Sequence, residues 1–245
     1  MVTYPFKKIN ALDFRQVTKK YGKQTVLAGI DLEISAGESF ALVGANGVGK
    51  TTLIKALLDF IPLEGGDIHI FGKSALNPTS RQQLAYLPER FLPPYFFSGW
   101  DFLNYMGQLY DQILQIEEVK ELFFELNLDA SALEKSVRSF SKGMTQKLGL
   151  AALFLSKKKL LILDEPMSGL DPKARVLLKR KLNRLRAEGY TLFSSTHLLA
   201  DVEELCDRMA ILHMGQLCFV GSPAQCLAQY HGKTLEESFL VCIEK

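Results

Sequence analysis

The stretch Gly44-Ala45-Asn46-Gly47-Val48-Gly49-Lys50-Thr51 decides the fold. It follows residues 39–43, a short apolar run read as a buried strand. It precedes residues 50–60, where Leu53, Ile54, Leu57 and Leu58 recur at helical spacing. A glycine-rich turn of this pattern between strand and helix is built to hold phosphate. Glycines allow the backbone to curl with its N–H groups pointing inward, and the helix directs its positive end at the same point. Gly44, Asn46, Gly47 and Gly49 form the curl, Lys50 is expected to reach the β- and γ-phosphates, and Thr52 to touch a phosphate nearby. The Thr51 hydroxyl is expected to ligate Mg²⁺. The alternative is a chance match, which average residue usage makes on the order of 1% for a chain of this length. The strand before and the helix after weigh against it.

Working outward, residues 12–40 alternate apolar and polar as half-exposed strands do, with a turn at Ala36-Gly37-Glu38. Residues 67–72 read as a further strand and turn. Residues 103–110, 117–126 and 143–155 carry helical periodicity and form a candidate helical insert. Residues 160–163 are a buried strand, 172–187 a basic amphipathic helix, 190–194 a strand, 200–206 a helix, and 209–213 with 216–220 a strand pair about Gly215. Alternating strands and helices imply an α/β fold with a mainly parallel core sheet, here joined by an N-terminal antiparallel β part. No internal repeat occurs, so a single domain is expected: residues 12–88 and 157–245 as the core with its β part, and residues 89–156 as the helical insert.

The strand Leu160-Leu161-Ile162-Leu163 runs into Asp164-Glu165. Beside a phosphate loop, the first acid is expected to hold Mg²⁺ and the second to polarise an attacking water. Without that loop, Asp164 and Glu165 would read equally well as the start of a surface turn at Pro166.

Other segments carry a family resemblance. Phe140-Ser141-Lys142-Gly143-Met144-Thr145-Gln146 resembles the LSGGQ signature of ABC ATPases, Ser141 and Gly143 matching and Lys142 and Met144 departing. Tyr21 matches the aromatic residue that stacks on adenine, Tyr86-Leu87-Pro88-Glu89 the Q-loop, Ser168-Gly169-Leu170-Asp171 the D-loop, and His197 the switch histidine. All fall in family order over nearly the whole chain, which is identified as a member of the ABC transporter ATP-binding family, with SKGM and YLPE variants like those of bacterial exporter-type subunits. The resemblance implies a P-loop NTPase that hydrolyses ATP with Mg²⁺. It implies catalysis by Glu165 and His197, with Glu89 as a catalytic and coupling residue and, with Thr51 and Asp164, a metal ligand. Glu89 stands where the family usually has glutamine, adding a negative charge beside an anionic nucleotide. Ser141 and Gly143 are implied to act in trans, on ATP bound by a second copy or a homologous subunit in a head-to-tail dimer. The implied remaining partner is a transmembrane permease, with the chain cytoplasmic and peripheral on the inner face of the cell membrane.

Composition limits the alternatives. The chain has 245 residues, 47% hydrophobic, and a net charge of +2 with acids and bases intermixed, so nothing marks nucleic acid as a partner. The segment MVTYPFKKINALDF lacks the apolar core of a signal peptide, and no run approaches the roughly 20 apolar residues of a membrane span. The chain is therefore expected to be soluble by itself. Cys206, Cys218, Cys226 and Cys242 show no metal-ligand spacing and read as reduced thiols. The aromatic residues of 91–100 read either as the insert's own small core or as a surface for the membrane partner. The basic residues of 173–186 read as a solvated helix face.

Overall fold

The computed structural model describes residues 9–244. Most of the expected N-terminal extension, residues 1–8 of 1–10, lies outside them. The chain opens with two long strands, β1 (Asn10–Tyr21) and β2 (Gln24–Ser35), paired antiparallel. There follow β3 (Ser39–Val43), α1 (Lys50–Leu57), β4 (Gly65–Ile70), β5 (Lys73–Ser74) and β6 (Leu84–Leu87). Next come the helices α2 (Gly99–Leu109), α3 (Ile116–Glu125) and α4 (Lys142–Leu155). The last part runs β7 (Leu160–Asp164), α5 (Pro172–Ala187), β8 (Thr191–Thr196), α6 (Leu199–Leu205), β9 (Arg208–His213), β10 (Gln216–Gly221), α7 (Pro223–Tyr230) and α8 (Leu235–Ile243).

Two sheets result. One has four strands in the order β2-β1-β4-β5, all antiparallel. The other has six in the order β10-β9-β3-β8-β7-β6, parallel throughout except where β10 pairs with β9. The central strands alternate their side chains between two cores, as the period of two requires. Phe40, Leu42, Leu160, Ile162 and Phe193 face α1 and the antiparallel sheet. Ala41, Val43, Leu161, Leu163 and Leu192 face α4, α5 and α6. A parallel strand buried on both faces is a continuous apolar run, which is why residues 39–43 and 160–163 were legible as strands.

Helix boundaries follow local chemistry. α1 ends at Leu57, short of the expected Phe60, because Asp59 adopts a left-handed conformation at φ 61°. α2 starts at Gly99, ahead of the expected residue 103. The Ser98 hydroxyl caps the Asp101 N–H while the Asp101 carboxylate accepts from the Ser98 N–H. Gly149 lets α4 lie close on β6 and Phe91, since a Cβ there would stand 2.6 Å from a Leu87 methyl and 2.8 Å from the Phe91 ring.

The basic face of α5 is more engaged than a solvated face. Lys179 pairs with Asp201 and Glu204 on α6 at 2.7 and 2.8 Å, and Lys181 and Arg184 converge on Glu125 at the end of α3. The aromatic stretch divides. Phe91, Phe97 and Trp100 pack on the core, while Leu92, Tyr95 and Phe96 are exposed. Cys206, Cys226 and Cys242 are buried, Cys218 is exposed, and all four are free thiols.

Candidate active site

The turn after β3 runs into α1 through Gly49, whose φ of 117° an L-residue with a side chain rarely adopts. No side chain caps α1 and no acid occupies its first turn. Its leading N–H groups are thus left to an anion. Lys50 is buried and needs partners there. Its ammonium donates back to the carbonyls of Gly44 at 2.7 Å and Ala45 at 3.2 Å, and lies 3.5 Å from Glu165 Oε1.

Asp164 closes β7 with both carboxylate oxygens engaged. Oδ2 accepts from the Thr51 hydroxyl at 2.9 Å, and Oδ1 accepts from the Ser195 hydroxyl on β8. Glu165 follows in a left-handed conformation at φ 50°, its N–H donating to the Ser195 carbonyl and hydroxyl at 3.1 and 3.2 Å. That turn sets the Glu165 carboxylate between two groups. Oε2 lies 2.8 Å from Nδ1 of His197, while Oε1 is buried without a hydrogen bond, facing Lys50.

Gly49, Lys50, Thr51 and Glu165 line one cleft of about 280 Å³ together with Asn46, Gly47, Thr52 and the exposed Glu89, and Asp164 and His197 join it through their hydrogen bonds to Thr51 and Glu165. Thr51, Asp164 and Glu89 offer only oxygen, the donor type that Mg²⁺ selects. A hydroxyl already directed at a carboxylate is an arrangement that a hard cation can enter between the two, so the residues fit that ion.

Tyr21, Ser141 and Gly143 are not among the residues lining the cleft. Tyr21 is half-exposed at the end of β1. Ser141 caps α4, its hydroxyl accepting from the Met144 N–H at 3.2 Å. Gly143 lies against the turn after β7, where a Cβ would stand 3.0 Å from the Gly169 carbonyl. Gln146 Nε2 donates to the Pro166 carbonyl at 3.1 Å and Lys142 to the Ser168 hydroxyl at 3.3 Å. The start of α4 is thereby latched to the turn that carries Glu165 into α5.

One contributor escaped the sequence reading, and Tyr86 enters it only as part of the Q-loop match. Ser195 holds both acids, and its only sequence signal is a hydroxyl near the end of a buried strand. Tyr86 on β6 keeps its phenol proton well beyond the usual range, because burial and then the charges of Asp164 and Glu89 disfavour phenolate.

The family profile described as ABC transporter matches residues 27–168. The chain belongs to the ABC transporter ATP-binding family. An ABC transporter ATP-binding protein of Synechocystis is 39% identical over 207 residues, covering 83% of this chain and 58% of the relative. The Nod factor export ATP-binding protein I of Rhizobium sp. strain N33 is 31% identical over 232 residues, covering 94% and 76%. The linearmycin resistance ATP-binding protein of Bacillus subtilis is 29% identical, covering 95% and 78%. A solved structure of an ATP-binding subunit of an ABC transporter superposes with a TM-score of 0.85 at 31% identity, over 95% of this chain and 99% of that one. The chain spans 58% of the length of the Synechocystis relative and 61% of a similar ABC transporter ATP-binding protein of Nostoc. As in an ABC ATP-binding subunit, the α/β core carries a P-loop, an antiparallel sheet and a helical insert. Among the described residues, no helix is long and apolar enough to cross a membrane.

Proposed function

We propose that this chain binds and hydrolyses ATP for an ABC transporter, driving a substrate outward through a separate transmembrane permease. The observation that carries the reading is Glu165 set between Lys50 and His197 at the mouth of the phosphate loop. Lys50 exchanges the Gly44 carbonyl for the β- and γ-phosphate oxygens. Glu165 Oε1, the oxygen without a hydrogen bond, takes the proton of the attacking water. His197 holds Oε2 and keeps the carboxylate aimed. The water oxygen bonds to the γ-phosphorus, the bond to the bridging oxygen breaks, and ADP and phosphate leave. Mg²⁺, held by Thr51, Asp164 and Glu89, would supply neutralisation of the phosphate charge.

Ser141 and Gly143 are not among the residues lining the chain's own cleft, which supports a head-to-tail pair with a second copy or a homologous subunit. In that pair the N-terminus of α4 from one chain meets the γ-phosphate held by the other. Tyr21 receives the adenine. The SKGM and YLPE variants favour export, as do relatives named for Nod factor export and linearmycin resistance. The chain would work at the cytoplasmic face of the cell membrane, held there by its permease, with Glu89 coupling the two.

Glu165→Gln tests the reading. The variant should keep ATP binding and lose about 100-fold or more in phosphate release; full turnover would overturn it. Lys50→Ala should lose ATP affinity itself. Isolation from membranes in mild detergent should yield a polytopic membrane protein with the chain, whereas nucleic acid in its place would point to a non-transport ATPase.

A further inference from the structure

Lys19 and Tyr21 stand two residues apart on β1 and project from the same face of the strand. Lys19 is an unusual lysine, with a side chain only 6% exposed. Its ammonium donates to the Pro62 carbonyl at 2.7 Å and to Glu64 Oε1 at 2.9 Å. The other oxygen of Glu64 accepts from the Lys20 N–H at 2.7 Å, and the Glu64 N–H donates to the Thr18 carbonyl at 3.0 Å. The hydrogen bond from Lys19, followed by that from the Lys20 N–H, holds the Glu64 carboxyl below the ordinary carboxylate range. The ammonium is therefore fixed in place by the turn before β4. It sits over the Tyr21 ring, 5.2 Å from the centroid, within the range of a cation–π contact. Tyr21 remains half-exposed, so part of its surface is open to a ligand.

We propose that Lys19 is the positioning residue of the adenine platform, its fixed ammonium seating the Tyr21 ring so that its open surface is ready to stack on a purine. The inference rests on the reading of Tyr21 as the adenine-stacking residue. An exposed tyrosine beside a hairpin turn samples several rotamers, and ordering it on binding costs affinity. A buried cation beneath one face removes that cost before the nucleotide arrives. Lys19 is not among the residues lining the phosphate cleft, so its effect falls on the base and not on the triphosphate.

The test is calorimetric titration of the full chain with Mg²⁺-ATP and, separately, with Mg²⁺-tripolyphosphate, which has no base. Lys19→Met should weaken ATP about three- to tenfold and leave tripolyphosphate unchanged. Lys19→Arg should largely retain the wild-type affinity. In a Tyr21→Ala background, Lys19→Met should add no further loss. Should Lys19→Met fail to fold in a thermal melt, Glu64→Gln, which loosens the same ammonium, is read in its place. Equal weakening of ATP and tripolyphosphate, no change in either, or a loss that persists without Tyr21 would each overturn the inference. Failure of the underlying reading looks different: Tyr21→Ala would then bind ATP as tightly as wild type, and the role of Lys19 falls with it.

Discussion

The hydroxyl of Ser195 donates to Oδ1 of Asp164, and the parallel register of β7 and β8 sets these two residues directly opposite one another. Ser195 is fully buried and Asp164 nearly so. Ser195→Ala leaves a buried carboxylate with the Thr51 hydroxyl as its one hydrogen-bond donor among the described residues. The expected cost is about 1.5–3 kcal/mol of stability, read by urea denaturation, together with a slower ATPase. Unchanged turnover would show that Asp164 needs no second anchor.

Gly149 concerns packing. At most interior helix positions alanine improves on glycine by about 1 kcal/mol. Here the added methyl would run into Leu87 and Phe91, so Gly149→Ala is expected to destabilise by about 1–3 kcal/mol. The urea midpoint measures the sign directly. Retained ATP binding in the folded fraction would confine the effect to the α4–β6 contact.

Asp171 supplies the pH dependence. Its Oδ1 accepts the Ala174 N–H at 2.9 Å at the start of α5, and Lys147 lies 3.5 Å away. That hydrogen bond above all holds the carboxyl below its ordinary range, outweighing an opposing push from burial, and the Lys147 charge lowers it further. The folded chain thus binds this proton less tightly than the unfolded chain. The stabilisation is present above the ordinary aspartate value of about 3.9 and is lost as pH falls through the lower folded value. Asp171→Asn keeps a good cap but removes the charge. Its urea midpoint should lie below wild type near neutral pH and converge with it in acid; a constant gap across that range would contradict the assignment.

Tyr95 and Phe96 are about 70% exposed, beside ring neighbours that are packed inward. Replacing both with serine should change stability by no more than about 0.5 kcal/mol and leave ATP binding intact. If these rings dock the proposed permease, its recovery in a detergent pull-down should fall sharply. Undiminished recovery would assign the permease contact to another surface.

Elements with a strong local signature were legible. The helix over 172–187 begins where Asp171-Pro172 sets a cap and a first-turn proline, and the β9–β10 pair turns about Gly215. β6 escaped because four residues are too few to establish a period and only pairing with β7 makes them a strand. α7 escaped although Ser222-Pro223-Ala224-Gln225 forms a capping box, a signal that lies in two residues and not in an apolar stripe.

By itself, the sequence determined that a phosphate loop stands between a buried strand and a helix, that two acids end another strand, and that the family's segments follow in order. These are local facts, encoded in glycine spacing and in apolar runs that need no partner to be recognised. Only the tertiary structure decided how the acids are held. Ser195 lies 31 residues from Asp164, and parallel pairing alone brings its hydroxyl to that carboxylate. It also decided that Ser141 and Gly143 are not among the residues lining the cleft, while the start of α4 is latched to the turn at Pro166 and Ser168. Register and packing join residues far apart in the chain, and no local pattern carries that information.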